Sequence, residues 1–158
     1  MAEPREYVNI YEAFPAGYRA MSALEDACAG AMDPVLFELV KLRASQLNGC
    51  AYCIDMHWKD ARANGESEER LYMLDAWRES TLYSDTEQAA LALTEAITLI
   101  GEAHVPADVE DAARAALDDA GYAALVFTAA TINAWNRLAI TAHSPAGRYR
   151  PKAAATRR

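Results

Sequence analysis

Cys50, Cys53 and His57 stand in the run Cys50-Ala51-Tyr52-Cys53-Ile54-Asp55-Met56-His57. In a helix, steps of three and four bring these side chains onto one face. A thiolate forms at neutral pH beside a positive charge, a helix N-terminus or a proton acceptor, and a second thiol captures its oxidised product. The run supplies both, which points to thiol redox chemistry. The free amides at the start of such a helix favour a thiolate at Cys50, whereas His57 follows Cys53 by four residues and reaches it better. The two effects favour different sulfurs. A positioned base activates a nucleophile specifically, so the reading taken forward has Cys53 attack and Cys50 resolve the sulfenic acid into a disulfide.

Other chemistries fit the same residues less well. Cys50, Cys53 and His57 could hold zinc with a carboxylate as fourth ligand. Structural zinc sites bring a second Cys/His pair, and the remaining His104 and His143 each lack a neighbouring ligand. Haem attachment needs a histidine directly after the second cysteine, where Ile54 stands. Redox chemistry therefore ranks first, metal binding second and inert packing third, with no metal or cofactor assigned. Cys28 stands alone and reads as a small buried hydrophobe.

The length of 158 residues suits one domain, and a 53% apolar content excludes a disordered chain. A net charge of −8 argues against nucleic acid as a partner, since phosphate binding needs a basic surface. Arg148, Arg150, Lys152, Arg157 and Arg158 are spread along a Pro/Ala-rich end, which reads as a basic, flexible, solvated tail over 144–158 beyond a domain of residues 1–143. The start, Met1 to Glu6, is polar and leads into no signal-type apolar run. The longest uncharged stretch, Ala120 to Asn136, has 17 residues against the ~20 a membrane span needs. The expectation is a cytoplasmic protein with no membrane partner. An odd number of cysteines, three, speaks against a secreted disulfide scaffold.

The elements that must carry the thiols are helical. Abundant alanine with few valines and isoleucines favours helix, and no segment alternates with a two-residue period. Met21, Leu24 and Cys28 lie at helical spacing within 16–31. Asp33 and Pro34 open a helix to about Leu47, broken by Asn48-Gly49. The next starts at the C-x-x-C, with Asn48 or Gly49 as its cap, and stops near Asn64-Gly65. Ser67 opens a helix carrying Leu71, Leu74 and Trp77. Ser84 or Asp85 opens one with Leu91, Leu93, Ile97 and Ile100, and Pro106 one that ends at Gly121. The last, from about Tyr122 to Ala142, is apolar around most of its circumference, so it must bury against its own core or another subunit. The fold class read from the sequence is all-α.

The run from Glu38 to His57 resembles the core of the AhpD-like alkylhydroperoxidases, within the carboxymuconolactone decarboxylase superfamily. There a glutamate stands twelve residues before C-x-x-C and a histidine four after it, and Glu38, Cys50, Cys53 and His57 all match. Trp77-Arg78-Glu79-Ser80 and Ile132-Asn133-Ala134-Trp135-Asn136-Arg137 carry the likeness further, over roughly residues 14–142. The resemblance implies an AhpD-like helical domain of about six to seven helices that assembles as a homotrimer or homohexamer. It implies a cofactor-free thiol peroxidase for hydrogen peroxide or organic hydroperoxides. Cys53 would be the peroxidatic thiol, Cys50 the resolving thiol, and His57 with Glu38 a proton relay. A dithiol donor, lipoyl-bearing or thioredoxin-like, would be the reductant.

Taken alone, Glu38 reads as a surface residue paired with Lys41. Its place in the pattern moves it to the site, where a carboxylate beside an imidazole raises its basicity and orients it. The superfamily's lactone decarboxylases work without this C-x-x-C relay. A redox-sensing or zinc-binding interaction module and a general disulfide exchanger are the other functions the same residues allow. Asn133, Asn136 and Arg137 read as a structural or inter-subunit hydrogen-bond network, and Tyr52 and Trp58 as pocket lining or core.

Overall fold

Short polar residues set where the helices start. The Asp33 carboxylate accepts from the N–H groups of Val35 and Leu36 and opens α3 (Pro34–Asn48), with Pro34 at the first helical position. Ser67 caps α5 (Glu68–Met73), Asp118 caps α8 (Asp119–Thr141), and Ser84 forms a reciprocal box with Glu87 at the head of α6 (Asp85–Thr98). A computed structural model describes residues 6–151 of the chain. The remaining elements are α1 (Ile10–Ala13), α2 (Pro15–Ala31), α4 (Ala51–Ala63), a 3-10 helix (Leu74–Glu79) and α7 (Ala107–Ala116). Among the described residues there is no strand, and no helix is long and apolar enough to cross a membrane.

The centre of the molecule is α3, which packs against α4, α6 and α8. Ten consecutive residues, Leu36 to Ser45, are buried. Leu39 and Leu42 face a cluster with Ala61, Leu71, Leu74, Trp77, Tyr83 and Leu91. Leu36 and Val40 face a second with Ala90, Leu93, Ala113 and Leu125. Glu38, Lys41 and Ser45 share a third stripe of the same helix. A helix buried on all sides and still carrying charges must find a partner for each. Lys41 pairs with Glu25 on α2 and Arg43 with Glu95 on α6.

Several sequence expectations need correction. Leu24 and Ile100, placed at apolar positions, are exposed. The helix opened by Pro106 ends at Ala116, because Asp118 starts α8 three residues ahead of Gly121. The element after Ser67 splits into α5 and the 3-10 helix, with Ala76 outside helical geometry. Together with α1, this gives more helical elements than the six to seven expected. Lys41 does not pair with Glu38. The last helix buries Leu125, Ala129, Ile132, Asn136 and Ala139 but leaves Phe127 and Ile140 exposed. Within 144–151, Arg148 and Arg150 are exposed, while Gly147 N–H donates to Asp55 and Tyr149 O–H to Asp60, both on α4. Lys152, Arg157 and Arg158 of that basic stretch lie outside the described residues, as do Met1 to Arg5.

Candidate active site

A left-handed glycine aims the thiols. Gly49, at φ +66°, ends α3, while Gly49 and Cys50 N–H groups return to Gln46 and Ser45 carbonyls at 3.1 and 3.0 Å. The chain reverses there, so that α4 lies beside α3. Cys50 is itself the N-cap residue of α4, where Asn48 or Gly49 is expected from the sequence. Cys53 follows in the first turn, and the two sulfurs stand 2.8 Å apart as free thiols. Both are buried, against Ala139 of α8 and the partly buried Tyr52.

Two thiols at this separation titrate as a pair, and ionisation is favoured at Cys50. Its thiol is lowered to about 7 by the hydrogen bond with Cys53, helped by the Tyr52 and Cys53 amides at the helix head and by the Asn136 side chain. Cys53 is raised by the same hydrogen bond and by burial. The hydrogen bond between the sulfurs, more than the helix head, sets this division. Access runs the other way: Cys53, and not Cys50, lines the large cavity described below.

Asn136 reaches the sulfurs from α8 as the end of an ordered chain. Its Nδ2 donates to Ser45 Oγ at 3.0 Å, and its Oδ1 accepts from Asn48 Nδ2 at 2.8 Å. Asn48 also donates to Asn133 Oδ1 at 2.9 Å, and Asn133 donates to Thr98 Oγ1 at 3.0 Å. Accepting from Asn48 fixes which end of the Asn136 amide is the donor. That donor eases both thiols towards ionisation. Asn133, Asn136 and Arg137 read from sequence as a structural or inter-subunit hydrogen-bond network; Asn136 also touches the thiols. The clue was a polar residue at 0% exposure on an apolar helix, but its target was not readable.

Glu38 and His57 meet across the α3–α4 contact, with Oε2 2.9 Å from Nδ1. Burial, and then the charge of Asp60, raise the Glu38 carboxyl to about 8. Burial, and then Lys41, push His57 well below its ordinary value. The pair is therefore neutral at pH 7: the Glu38 hydroxyl donates to Nδ1 and the ring proton sits on Nε2. Among the described residues, His57 Nε2 is the one buried side-chain nitrogen or oxygen without a hydrogen-bond partner. Lys41, against Phe37 and ion-paired with Glu25, is lowered by burial to about 7 against the opposing charges of Asp60 and Cys53.

These groups share a cavity of about 1050 Å³. Its lining includes Glu38, Lys41, Cys53, His57 and Asp60 together with the aromatic and apolar Tyr11, Tyr18, Phe37, Tyr52, Met56 and Trp135. Trp58 packs elsewhere, on the core cluster and on Tyr72. His104 is exposed, and His143 lies against Tyr7. Cys28 is buried beside Thr131, as a lone small hydrophobe should be. Of the three-residue groups with ligand atoms close enough to share a metal, the described residues hold Glu38, His57 and Asp60, within 4.8 Å of one another. The Cys50–Cys53–His57 set of the zinc reading does not form such a group. Asp60 had no signal in the sequence beyond its helical distance from His57.

Comparison with known proteins shows the family of the chain. The profile of the carboxymuconolactone decarboxylase family matches residues 13–96, the span holding Glu38, Cys50, Cys53, His57 and Asp60. The chain belongs to that family. It is 44% identical to the uncharacterized protein YdfG of Bacillus subtilis over 134 residues, 84% of this chain and 91% of that one. It is 38% identical to the uncharacterized protein YnjA of Escherichia coli over 87 residues, 54% of this chain and 44% of that one. Among solved structures, it resembles an Agrobacterium tumefaciens protein of unknown function proposed as the antioxidant defence protein AhpD. The TM-score is 0.86 at 34% identity, covering 92% of this chain and all of the other.

Proposed function

We propose that this protein is a C-x-x-C thiol peroxidase with a role in antioxidant defence. The observation that carries the reading is the convergence on one cavity of a sulfur from a close thiol pair and a buried imidazole whose Nε2 has no partner. A peroxide in the cavity meets Cys53, the sulfur that lines it. The Cys50 thiolate, 2.8 Å away, takes the Cys53 proton and leaves Cys53 as the nucleophile. Cys53 Sγ attacks one peroxide oxygen and the O–O bond breaks. His57 Nε2 gives its proton to the departing alkoxide as the Glu38 proton passes to Nδ1, so an alcohol or water leaves. Cys50 then attacks the Cys53 sulfenic acid; its proton leaves with the hydroxyl as water and a disulfide closes. One peroxide is reduced and two thiols are oxidised. An external dithiol, on a lipoyl-bearing or thioredoxin-like donor, restores them and re-protonates the site.

The sequence reading assigned the same roles but treated His57 as the base for Cys53. The raised Glu38 and lowered His57 favour delivery of a proton to the leaving group, with Cys50 as the immediate base. The family resemblance points to assembly as a homotrimer or homohexamer, which light scattering on the eluted protein would test.

The direct test is a thiol count on reduced protein before and after stoichiometric cumene hydroperoxide. Wild type is expected to lose two thiols per chain. Cys53→Ser should lose none, and Cys50→Ser should stop at a dimedone-reactive sulfenic acid. Persistence of both wild-type thiols would end the peroxidase reading.

A further inference from the structure

The segment that follows α8 returns to the site. Gly147 N–H donates to Asp55 Oδ2 at 3.0 Å, and Lys59 Nζ to the Tyr149 carbonyl at 3.2 Å. Tyr149 O–H reaches both Asp60 oxygens, at 2.8 and 3.0 Å. Gly147 turns the chain at φ +89°, a conformation glycine adopts without a side-chain clash. Ser144, Pro145 and Tyr149 line the same cavity as Cys53 and His57. Asp60 in turn lies with Glu38 and His57 in one group spanning 4.8 Å.

We infer that Asp60, held by Tyr149, is a positioning residue for the Glu38–His57 pair, and that segment 144–151 is a wall of the site. The inference rests on the relay reading of that pair. Around Glu38 stand Lys41 on its own helix, Cys53, His57, Asp60 and Tyr52 on α4, Glu25 and Asp26 on α2, and Tyr149 on the segment; α8 contributes only Trp135 and Ala139 to this cavity. Lys41 is ion-paired with Glu25 and also feels the charge of Asp60, and Asp60 is the negative charge acting on Glu38. A carboxylate there disfavours ionisation of a second one nearby and keeps a proton on Glu38 for delivery. The Tyr149 hydroxyl fixes Asp60 in place and draws off part of its charge. Both burial and this like charge hold Glu38 near 8, where a relay must be to lend a proton at neutral pH.

The same three residues have the spacing of metal ligands. Tyr149 already occupies both Asp60 oxygens, however, and the Lys41 ammonium stands beside the group, so the positioning role fits the contacts better.

The test follows the titration itself and needs no peroxide. Protein labelled with ¹⁵N in its three histidines is titrated by NMR, with His57 assigned from its loss in His57→Gln. The wild-type His57 ring nitrogens should show an inflection near 8 as Glu38 ionises, and Glu38→Gln should remove it. Asp60→Asn should move the inflection to lower pH by about half a unit or more. Tyr149→Phe should move it to higher pH, because Asp60 then keeps its full charge. Shifts of one sign, as general loosening would produce, or no shift, overturn the inference. If Asp60→Asn does not fold, Tyr149→Phe decides alone: an upward shift upholds the role, and an unchanged or lowered inflection refutes it. Opposite shifts in a protein whose thiols ignore peroxide would sink the peroxidase reading and leave this one standing.

Discussion

Arg43 and Glu38 sit on the same helix, both nearly excluded from water, and end in clusters of different kinds. Arg43 donates through Nε to Glu95 at 2.7 Å and through Nη1 to Gln46 and Asp75. Glu95 also accepts from Trp77 Nε1 at 2.8 Å and Arg78 Nη1 at 2.6 Å. Its oxygens are all taken, and nothing there faces the large cavity. Around Glu38 a carboxyl, an imidazole and an ammonium are all displaced from their ordinary protonation, and one ring nitrogen has no partner. The difference separates structural from functional burial of charge. A closed cluster holds helices together, whereas an open one on a cavity keeps an unsatisfied donor for something that arrives.

The strongest way to break this contrast is Glu38→Gln. Delivery of a proton to the leaving alkoxide should fail, slowing peroxide-driven thiol loss by about 10²–10⁴-fold in stopped-flow measurements. A change below tenfold would show that the Glu38 cluster is as structural as the Arg43 cluster. Arg43→Met should do the reverse. It leaves Glu95 with two of its donors, so the loss falls near the low end for a broken buried pair, about 3 kcal/mol in urea denaturation, with the thiol rate of folded protein little changed.

Stability against pH sharpens the same point. Glu38 is raised from 4.5 to about 8, so the folded protein holds its proton longer than the unfolded chain does. Its contribution is fully present below 4.5 and is lost as pH rises through about 8. Lys41 acts oppositely, being lowered from 10.5 to about 7, which adds stability as pH rises between those values. Glu38→Gln removes only the first effect. Its stability relative to wild type should therefore improve from pH 5 to pH 8 when unfolding is compared at both. A constant difference would mean that Glu38 ionises normally. The smallest expected effect lies at Asn136→Ala. Loss of its amide should raise the Cys50 thiol, so that thiolate absorbance at 240 nm appears at higher pH than in wild type; an unchanged titration would show that Asn136 does not act on the sulfurs.

Much of the architecture was readable because it is written locally. Asp33-Pro34, Ser67 and Ser84 each mark a helix start through contacts within three or four residues. Where two signals competed, the reading slipped. Gly121 looked like a helix end, yet the Asp118 carboxylate accepts from Gly121 N–H and makes it part of the first turn. Phe127 and Ile140 showed that α8 is apolar, but not which of its faces the monomer covers.

The sequence by itself determined that Cys53 and His57 share one face of a helix with Cys50 at its head, because a step of four residues is close to one turn of 3.6. It also determined the helical class, through composition and caps. The tertiary structure decided the rest: that Glu38 meets His57 rather than Lys41, that Asn136 of a distant helix faces the sulfurs, and that Tyr149 pins Asp60. These contacts join residues from 19 to 89 positions apart. Their partners are selected by how helices pack, and no local periodicity encodes a hydrogen bond between elements. The division of ionisation between Cys50 and Cys53 belongs there too, since it depends on the hydrogen bond between the sulfurs and on burial.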